Sequence, residues 1–226
     1  MVGVTTMDKK QLVKLVSSFS MADGGLYKRS PNGNAYFMMN MLTEHMDYIE
    51  WVQDTLEHLT KTSVSKIKNP YKNPQTRICS RTLPFFTKIH GRVYKGNYKS
   101  LDPHALKMLD WEMLSIFHMA DGCLYVEQPN PKKGLVNPSP NISLNMKRLS
   151  YGDIWFLKKT IKDRLGIEYN IGQQNYRGKT YYFLRLRNKD VKKFSEGVLP
   201  YTCPSFYYKV YDSVRKAPVQ QDDDIV

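Results

Sequence analysis

The stretches SFSMADGGLY at residues 18–27 and IFHMADGCLY at residues 116–125 are two copies of one sequence. Each contains a phenylalanine, then Met-Ala-Asp-Gly, then Leu-Tyr, and their aspartates, Asp23 and Asp121, are 98 residues apart. Repetition at this spacing is typical of a chain built from diverged copies of one structural unit. We therefore predict that the fold consists of two related halves.

Similar segments also close the two halves: LPFFTK at 83–88 and LPYTCP at 199–204. We expect an N-terminal repeat at residues 1–98 and a C-terminal repeat at residues 99–216. The remaining segment, residues 217–226, is short and acidic, and it is predicted to be a disordered tail.

The hydrophobic pattern changes between helical and extended spacing in the same order in both halves. The predicted helices are 8–22, 43–59 (with Thr43 as the N-cap), 84–94, 103–120, 151–165 and 190–198. The predicted strands are 27–29, 35–41, 63–68, 77–82, 123–127, 141–147, 167–173 and 180–187. This order predicts an α+β fold of two pseudo-symmetric αββαββα repeats, each with a four-stranded antiparallel sheet.

The motif itself suggests chemistry. A small alanine precedes each motif aspartate, so two such helices can pack closely and bring Asp23 and Asp121 together at their ends. Two carboxylates this close repel each other unless a cation lies between them. Hard cations such as Mg²⁺ prefer carboxylates, backbone carbonyls and waters as ligands. The pair of motifs therefore predicts a divalent-metal site able to activate water and stabilise a leaving oxygen.

The charge of the chain favours a polyanionic partner. Lys and Arg outnumber Asp and Glu by 34 to 21, which gives a net charge of +13. Four windows contain no acidic residue: 24–43, 58–101, 128–152 and 169–189. The second window alone carries ten basic residues. If these windows share one face, that face binds phosphates.

Strand alternation indicates which side chains face the partner. In the strand at 141–147, Ile142 and Leu144 point one way and Ser143 and Asn145 the other. A two-stranded ribbon fits the major groove of DNA, although a solvated face is the usual role of any single polar strand face. The residues expected to contact DNA are Lys28, Arg29, Asn40, Lys66, Lys68, Arg77, Arg81, Lys132, Lys133, Ser143, Asn145, Lys147, Arg177, Lys179, Arg185 and Arg187.

Other sequence features narrow the class of protein. Three cysteines without a CxxC pair favour a reducing compartment. No apolar run of about 18 residues and no signal peptide is recognisable, so we expect an intracellular protein, in a bacterial or phage-host cytoplasm or an organelle, with no membrane partner. The five histidines lack metal-binding spacing.

The chain resembles the LAGLIDADG homing endonucleases in their single-chain, two-motif form. VSSFSMADG (16–24) and LSIFHMADG (114–122) occupy the motif positions. LPFFTKIHGRVYKGNYKSLDP (83–103) resembles the linker between the repeats of this family, and VLPYTCPSFYYKV (198–210) resembles its closing segment.

This resemblance implies a monomeric enzyme that binds a long, asymmetric DNA duplex under a saddle of two sheets and hydrolyses one phosphodiester on each strand. It implies Mg²⁺ or Mn²⁺ bound by Asp23 and Asp121 and by the backbone carbonyls of Ala22 and Ala120. It also implies a basic residue beside each metal. These residues correspond to Lys99 and Lys209, which either support the transition state and its water network or contact a phosphate.

The motif departs from the family in one position. Ser18 and Ile116 stand where glycine is usual, so local helix packing is expected to differ at Ile116, with Ser115 as an alternative contact. Two alternatives to a nuclease remain open. An intron maturase would bind its intron RNA. A non-cutting DNA-binding regulator would have lost the motif acids, so the presence of Asp23 and Asp121 argues against it.

Overall fold

The computed structural model describes residues 7–67, 73–96, 98–130 and 139–211. The α-helices are α1 Lys9–Met21, α2 Met46–Glu57, α3 Pro84–Val93, α4 Pro103–Leu106, α5 Trp111–Asp121, α6 Tyr151–Leu165 and α7 Val191–Val198. The strands are β1 Gly25–Lys28, β2 Ala35–Leu42, β3 Thr62–Ile67, β4 Gln75–Ser80, β5 Tyr94–Lys95, β6 Tyr98–Lys99, β7 Gly122–Glu127, β8 Ser139–Leu144, β9 Tyr169–Tyr176 and β10 Lys179–Leu186.

Two four-stranded antiparallel sheets dominate the fold. Their strand orders are β1-β2-β4-β3 and β7-β8-β10-β9, so the second sheet repeats the topology of the first. The predicted α+β fold with two αββαββα repeats is thereby confirmed. The sheets lie on either side of the predicted boundary between residues 98 and 99, and the position of that boundary stays a prediction.

The two motif helices pack against each other in the centre of one continuous core. Asp8 caps α1 by accepting a hydrogen bond from the backbone N–H of Gln11. The apolar face of α1 carries Leu15 and Phe19, which are completely buried. Ile116 of α5, at the position where glycine was expected, is also completely buried.

The predicted helix 103–120 is wrong in one respect, because it is two helices. α4 ends at Leu106, and Asp110 adopts an extended conformation before α5. The Asp110 carboxylate accepts a hydrogen bond from the N–H of Met113 at 3.0 Å. An N-cap of this kind starts a new helix even where apolar spacing continues across the break.

The predicted N-cap Thr43 is also wrong. Residues Thr43–His45 form a 3-10 turn ahead of α2, and no side chain caps that turn. The Thr43 hydroxyl instead lies 3.0 Å from that of Thr76 on β4. The hydroxyl that was expected to cap the helix therefore forms a hydrogen bond with a residue of a neighbouring strand instead.

The strand predicted at 141–147 ends at Leu144, because the backbone N–H of Asn145 donates to the carbonyl of Asp121 at 2.8 Å. The predicted alternation is confirmed, since Ile142, Leu144 and Met146 are buried. The strands β9 and β10 meet at Arg177 and Gly178, which both have positive φ, as a two-residue hairpin turn requires.

None of the helices in the described part of the chain is both long and apolar enough to span a bilayer. The predicted tail 217–226 and the predicted DNA contacts Lys68, Lys132 and Lys133 lie outside the described residues.

Candidate active site

The two motif aspartates lie at the C-terminal ends of the packed helices α1 and α5. α1 ends at Met21, just before Asp23, and α5 ends at Asp121. Burial raises the pKa of Asp121 to about 6, with a further contribution from the negative charge of Asp23. Burial also raises the pKa of Asp23. The structure therefore brings the two predicted carboxylates into one electrostatic environment.

Both carboxylates remain open to a ligand. Asp23 is exposed and Asp121 is partly exposed, while the surrounding protein displaces enough water to raise both pKa values. Beside Asp121 lies a cavity of about 390 Å³. It is lined by Ala22, Lys99, Ala120, Asp121, Asn145, Met146, Lys147 and Arg148, among other residues. This volume accommodates several waters or a phosphate group.

Lys99 lies at the first motif. Its ammonium group donates to the carbonyls of Ala22 and Gly24, both at 2.7 Å. Burial and the nearby Arg148 lower the pKa of Lys99 to about 8, although the charges of the two motif aspartates act in the opposite direction. The predicted basic residue is thus in contact with the predicted carbonyl ligand.

Lys209 lies at the second motif. Its ammonium group donates to the carbonyl of Met119 at 2.6 Å and to that of Ala120 at 3.4 Å. Burial lowers its pKa, while Asp23 and Asp121 partly offset this effect. Both lysines therefore contact the carbonyl of the alanine before the motif aspartate, but Lys99 also reaches Gly24 after it and Lys209 reaches Met119 before it, so the two sites are related but not identical.

The donor set fits a hard divalent cation. Oxygen ligands could come from the two carboxylates, whose pKa values are raised, and from the backbone carbonyls of Ala22 and Ala120 at the cavity. Within the described ranges, no group of three or more His, Cys, Asp or Glu side chains is arranged to hold a metal. A metal here would therefore complete its coordination with carbonyls, waters and phosphate, as Mg²⁺ accepts.

The two sheets present matching polar pairs. Arg77 Nε donates to Asn40 Oδ1 at 3.0 Å in the first sheet, and Arg185 Nε donates to Asn141 Oδ1 at 2.7 Å in the second. Such a hydrogen bond holds the guanidinium in a defined direction. Asn141 was not among the predicted contacts, although it begins the predicted strand at 141–147.

The remaining predicted contacts fall into three groups. Lys28, Arg29, Lys66, Arg81, Arg177 and Lys179 are exposed. Ser143 lies in β8, while Asn145 and Lys147 follow that strand and line the cavity. Arg187 forms an ion pair with Glu168, which also pairs with Lys162 and Lys189, so this arginine is engaged within the protein.

Two residues at the site were not predicted as functional. Arg148 is exposed, lines the cavity and influences the pKa of both motif aspartates. The acid-free window 128–152 contained it, but nothing in the sequence distinguished it from its neighbours. His118 was expected to be packed, and it is buried with Nε2 at 2.8 Å from the carbonyl of Lys209.

Comparison with known proteins identifies related sequences. The model of the LAGLIDADG DNA endonuclease family matches residues 20–194. Protein RecA of Mycolicibacterium flavescens is 27% identical over 208 residues, which are 91% of this chain and 47% of that protein. Protein RecA of Mycolicibacterium chitae is 27% identical over 209 residues, with the same coverage. The chain thus spans about half the length of the curated relatives it matches.

Solved structures share the fold. The homing endonuclease I-WcaI bound to its DNA recognition sequence has a TM-score of 0.70 at 18% identity, covering 93% of this chain and 89% of that one. I-DmoI in complex with DNA and Mn has a TM-score of 0.52 at 13% identity, covering 83% and 97%. At these identities the likeness establishes the architecture.

Proposed function

Because this chain belongs to the LAGLIDADG DNA endonuclease family, we propose that it is a site-specific endonuclease that hydrolyses one phosphodiester on each strand of a DNA duplex. The observation that carries the proposal is the pairing of Asp23 and Asp121 at the ends of two packed helices. The charge of Asp23 contributes to the raised pKa of Asp121, and a lysine contacts carbonyls of each motif.

Asp23 and Asp121, with the carbonyls of Ala22 and Ala120, are the residues that would hold Mg²⁺ or Mn²⁺. Divalent metals at such a site activate water and stabilise the leaving oxygen. The similar enzyme I-DmoI has been seen with DNA and Mn, and a variant of it with its target DNA in the presence of Mg. The raised carboxylate pKa values support this role, because a bound cation would stabilise the charged form that burial, and for Asp121 also the charge of Asp23, disfavours.

The chain's own basic groups have separate roles in this proposal. The ammonium groups of Lys99 and Lys209 lie beside the motif carbonyls, where they can stabilise negative charge that develops on the phosphate. Arg148 reaches the cavity from its exposed position and can contact a phosphate oxygen directly.

The two sheets would bind the duplex. Their exposed basic side chains displace counterions from phosphates, and the oriented pairs Arg77–Asn40 and Arg185–Asn141 offer hydrogen bonds to base edges. Because the two sheets differ in their other exposed basic side chains, we expect a monomer with a long, asymmetric target. Bending of the central base pairs would bring both scissile phosphates to the site.

Selection from a random duplex library tests the proposal. The protein is incubated with the library, bound duplexes are recovered, and Mg²⁺ or EDTA is added. We expect a defined target and Mg²⁺-dependent double-strand breaks at one position. A bound target that stays intact in both Mg²⁺ and Mn²⁺ would contradict cleavage and favour a regulator, and selective binding of a structured intron RNA without DNA cleavage would favour a maturase.

A further inference from the structure

The segment that carries Lys209 is attached to the first repeat. Residues Pro204–Lys209 form a 3-10 turn whose Ser205 lies against α2. Asp47 Oδ1 accepts a hydrogen bond from the Ser205 hydroxyl at 2.6 Å, and Asp47 Oδ2 accepts one from the Ser205 backbone N–H at 2.8 Å. One carboxylate of the first repeat thus binds the turn at two points, 158 residues away in sequence.

The Asp47 carboxylate is held in its charged form. Burial alone would raise its pKa, but the hydrogen bonds from Ser205 and from the N–H of Tyr48 outweigh burial and lower the pKa. Hydrogen bonds to a charged acceptor are stronger than those between neutral groups. The contact is therefore suited to fixing the turn.

Aromatic packing extends the attachment toward the lysine. The His45 ring stacks on Phe206 with centroids 4.0 Å apart, and Tyr48 meets the same ring edge-on at 5.6 Å. The Lys209 ammonium lies 5.3 Å from the centroid of Phe206. The first repeat thus positions Phe206, and Phe206 supports the ammonium group by a cation–π contact.

The end of the turn is attached to the second repeat. Burial lowers the pKa of His118 to about 4, so its imidazole is neutral near pH 7 and its Nε2–H donates to the Lys209 carbonyl. The turn is consequently held at Ser205 by one repeat and at Lys209 by the other. From this doubly anchored turn the Lys209 ammonium group donates to the carbonyls of Met119 and Ala120.

The segment that carries Lys99 has a weaker anchor. Ser100, the neighbour of Lys99, donates to the carboxylate of Asp153 on α6 at 3.2 Å. The hairpin that contacts the first motif is therefore attached to a helix that follows the second motif. This bond is longer and single, so the anchoring is stronger on the Lys209 side.

We propose that Asp47 is a positioning residue for Lys209: through Ser205 it fixes the ammonium group at the second motif, so the first repeat sets the geometry of the second repeat's site. The consequence for cleavage rests on the proposed function. The positioning of Lys209 by Asp47 does not depend on the proposed function. Separate measurements therefore test the positioning and its consequence for cleavage.

The first measurement follows lysine reactivity in DNA-free, metal-free protein. Acetylation of Lys99 and Lys209 by an N-hydroxysuccinimide ester is resolved by mass spectrometry in Ser205→Ala, Asp47→Ala and Ser205→Thr proteins. The control is Thr160→Ala, which removes a partly exposed hydroxyl of α6 that donates only to the carbonyl of Phe156 one turn earlier. We expect Lys209 to react about tenfold faster in the first two variants, near the wild-type rate in Ser205→Thr, and Lys99 to be unchanged.

The second measurement follows single-turnover cleavage of each labelled strand. Ser205→Ala and Asp47→Ala are expected to slow one strand about tenfold and accumulate nicked duplex, while Ser100→Ala slows the other strand to a smaller extent. A purely structural role would slow both strands equally and leave no nicked product.

The outcomes separate the two proposals. Unchanged reactivity of Lys209, equal changes at Lys99 and Lys209, or equal slowing of both strands would overturn the role of Asp47. If the wild-type protein cuts no duplex, the proposed function is wrong, while lysine reactivity still decides whether Asp47 positions Lys209. If Asp47→Ala does not fold, Ser205→Ala, which keeps the backbone hydrogen bond to Asp47, decides the question.

Discussion

The ammonium group of Lys99 lies 2.7 Å from the carbonyl oxygen of Ala22, the residue before the first motif aspartate. Lys99 comes from the short hairpin of β5 and β6, so this contact joins the segment after the first repeat to the end of α1. A partly buried cation beside a carboxylate and a motif carbonyl is well placed to act on a phosphate.

Replacing Lys99 with methionine tests that placement. Lys99→Met removes a charge that is already largely desolvated, so we expect single-turnover cleavage to slow about 100-fold while DNA affinity changes less than about threefold. Lys95→Met, in the same hairpin but at an exposed position, is the matched control. A loss of affinity equal to the loss of rate would assign Lys99 to DNA binding instead.

The raised pKa of Asp121 predicts a pH-dependent stability. Its folded pKa of about 6 lies above the ordinary aspartate pKa of 3.8, so its contribution to stability is full below about pH 4 and is lost as the pH rises through 6. Asp121→Asn carries no such loss. In EDTA we expect the variant to gain up to about 3 kcal/mol over wild type at pH 7.5 and almost nothing at pH 4.

Urea unfolding at the two pH values measures this difference, with the exposed Asp54→Asn as control. Adding Mg²⁺ is expected to stabilise wild type more than Asp121→Asn, because a ligand bound only by the folded state raises its stability. A stability difference that does not depend on pH would contradict the raised pKa of Asp121.

The arginine–asparagine pairs predict how binding depends on salt. Arg77→Ala and Arg185→Ala each remove one oriented cation from a sheet, and we expect each to weaken binding and to lower the salt slope by about 1 if the arginine contacts a phosphate. If it contacts a base, discrimination at one target position falls and the slope is unchanged. Fluorescence anisotropy at several KCl concentrations measures both, with Lys192→Ala on α7 as the control.

The sequence was sufficient to predict the repeated fold, the proximity of the two motif aspartates and the alternation of buried residues along β8. The motif copies lie 98 residues apart, and alternation with a period of two correctly predicted that Ile142 and Leu144 are buried. These signals are local, because each is contained in a single element or in a repeated stretch.

What could not be predicted depends on contacts between distant segments. Asp110 starts a second helix where apolar spacing suggested one continuous helix. Ser205 meets Asp47 across 158 residues, and no spacing in one sequence reports such a pair. Arg148 is one of several basic residues in the acid-free window 128–152, and only its position at the cavity distinguishes it from the others.

The most direct test of the proposed nuclease is strand-resolved cleavage of a selected target by Asp23→Asn and Asp121→Asn proteins with Mg²⁺. Asparagine keeps the shape of the side chain and removes its negative charge. We predict that both variants bind the target with affinity close to that of wild type and that neither produces a double-strand break. Double-strand cleavage by either variant at the wild-type rate would contradict the central role of the paired aspartates.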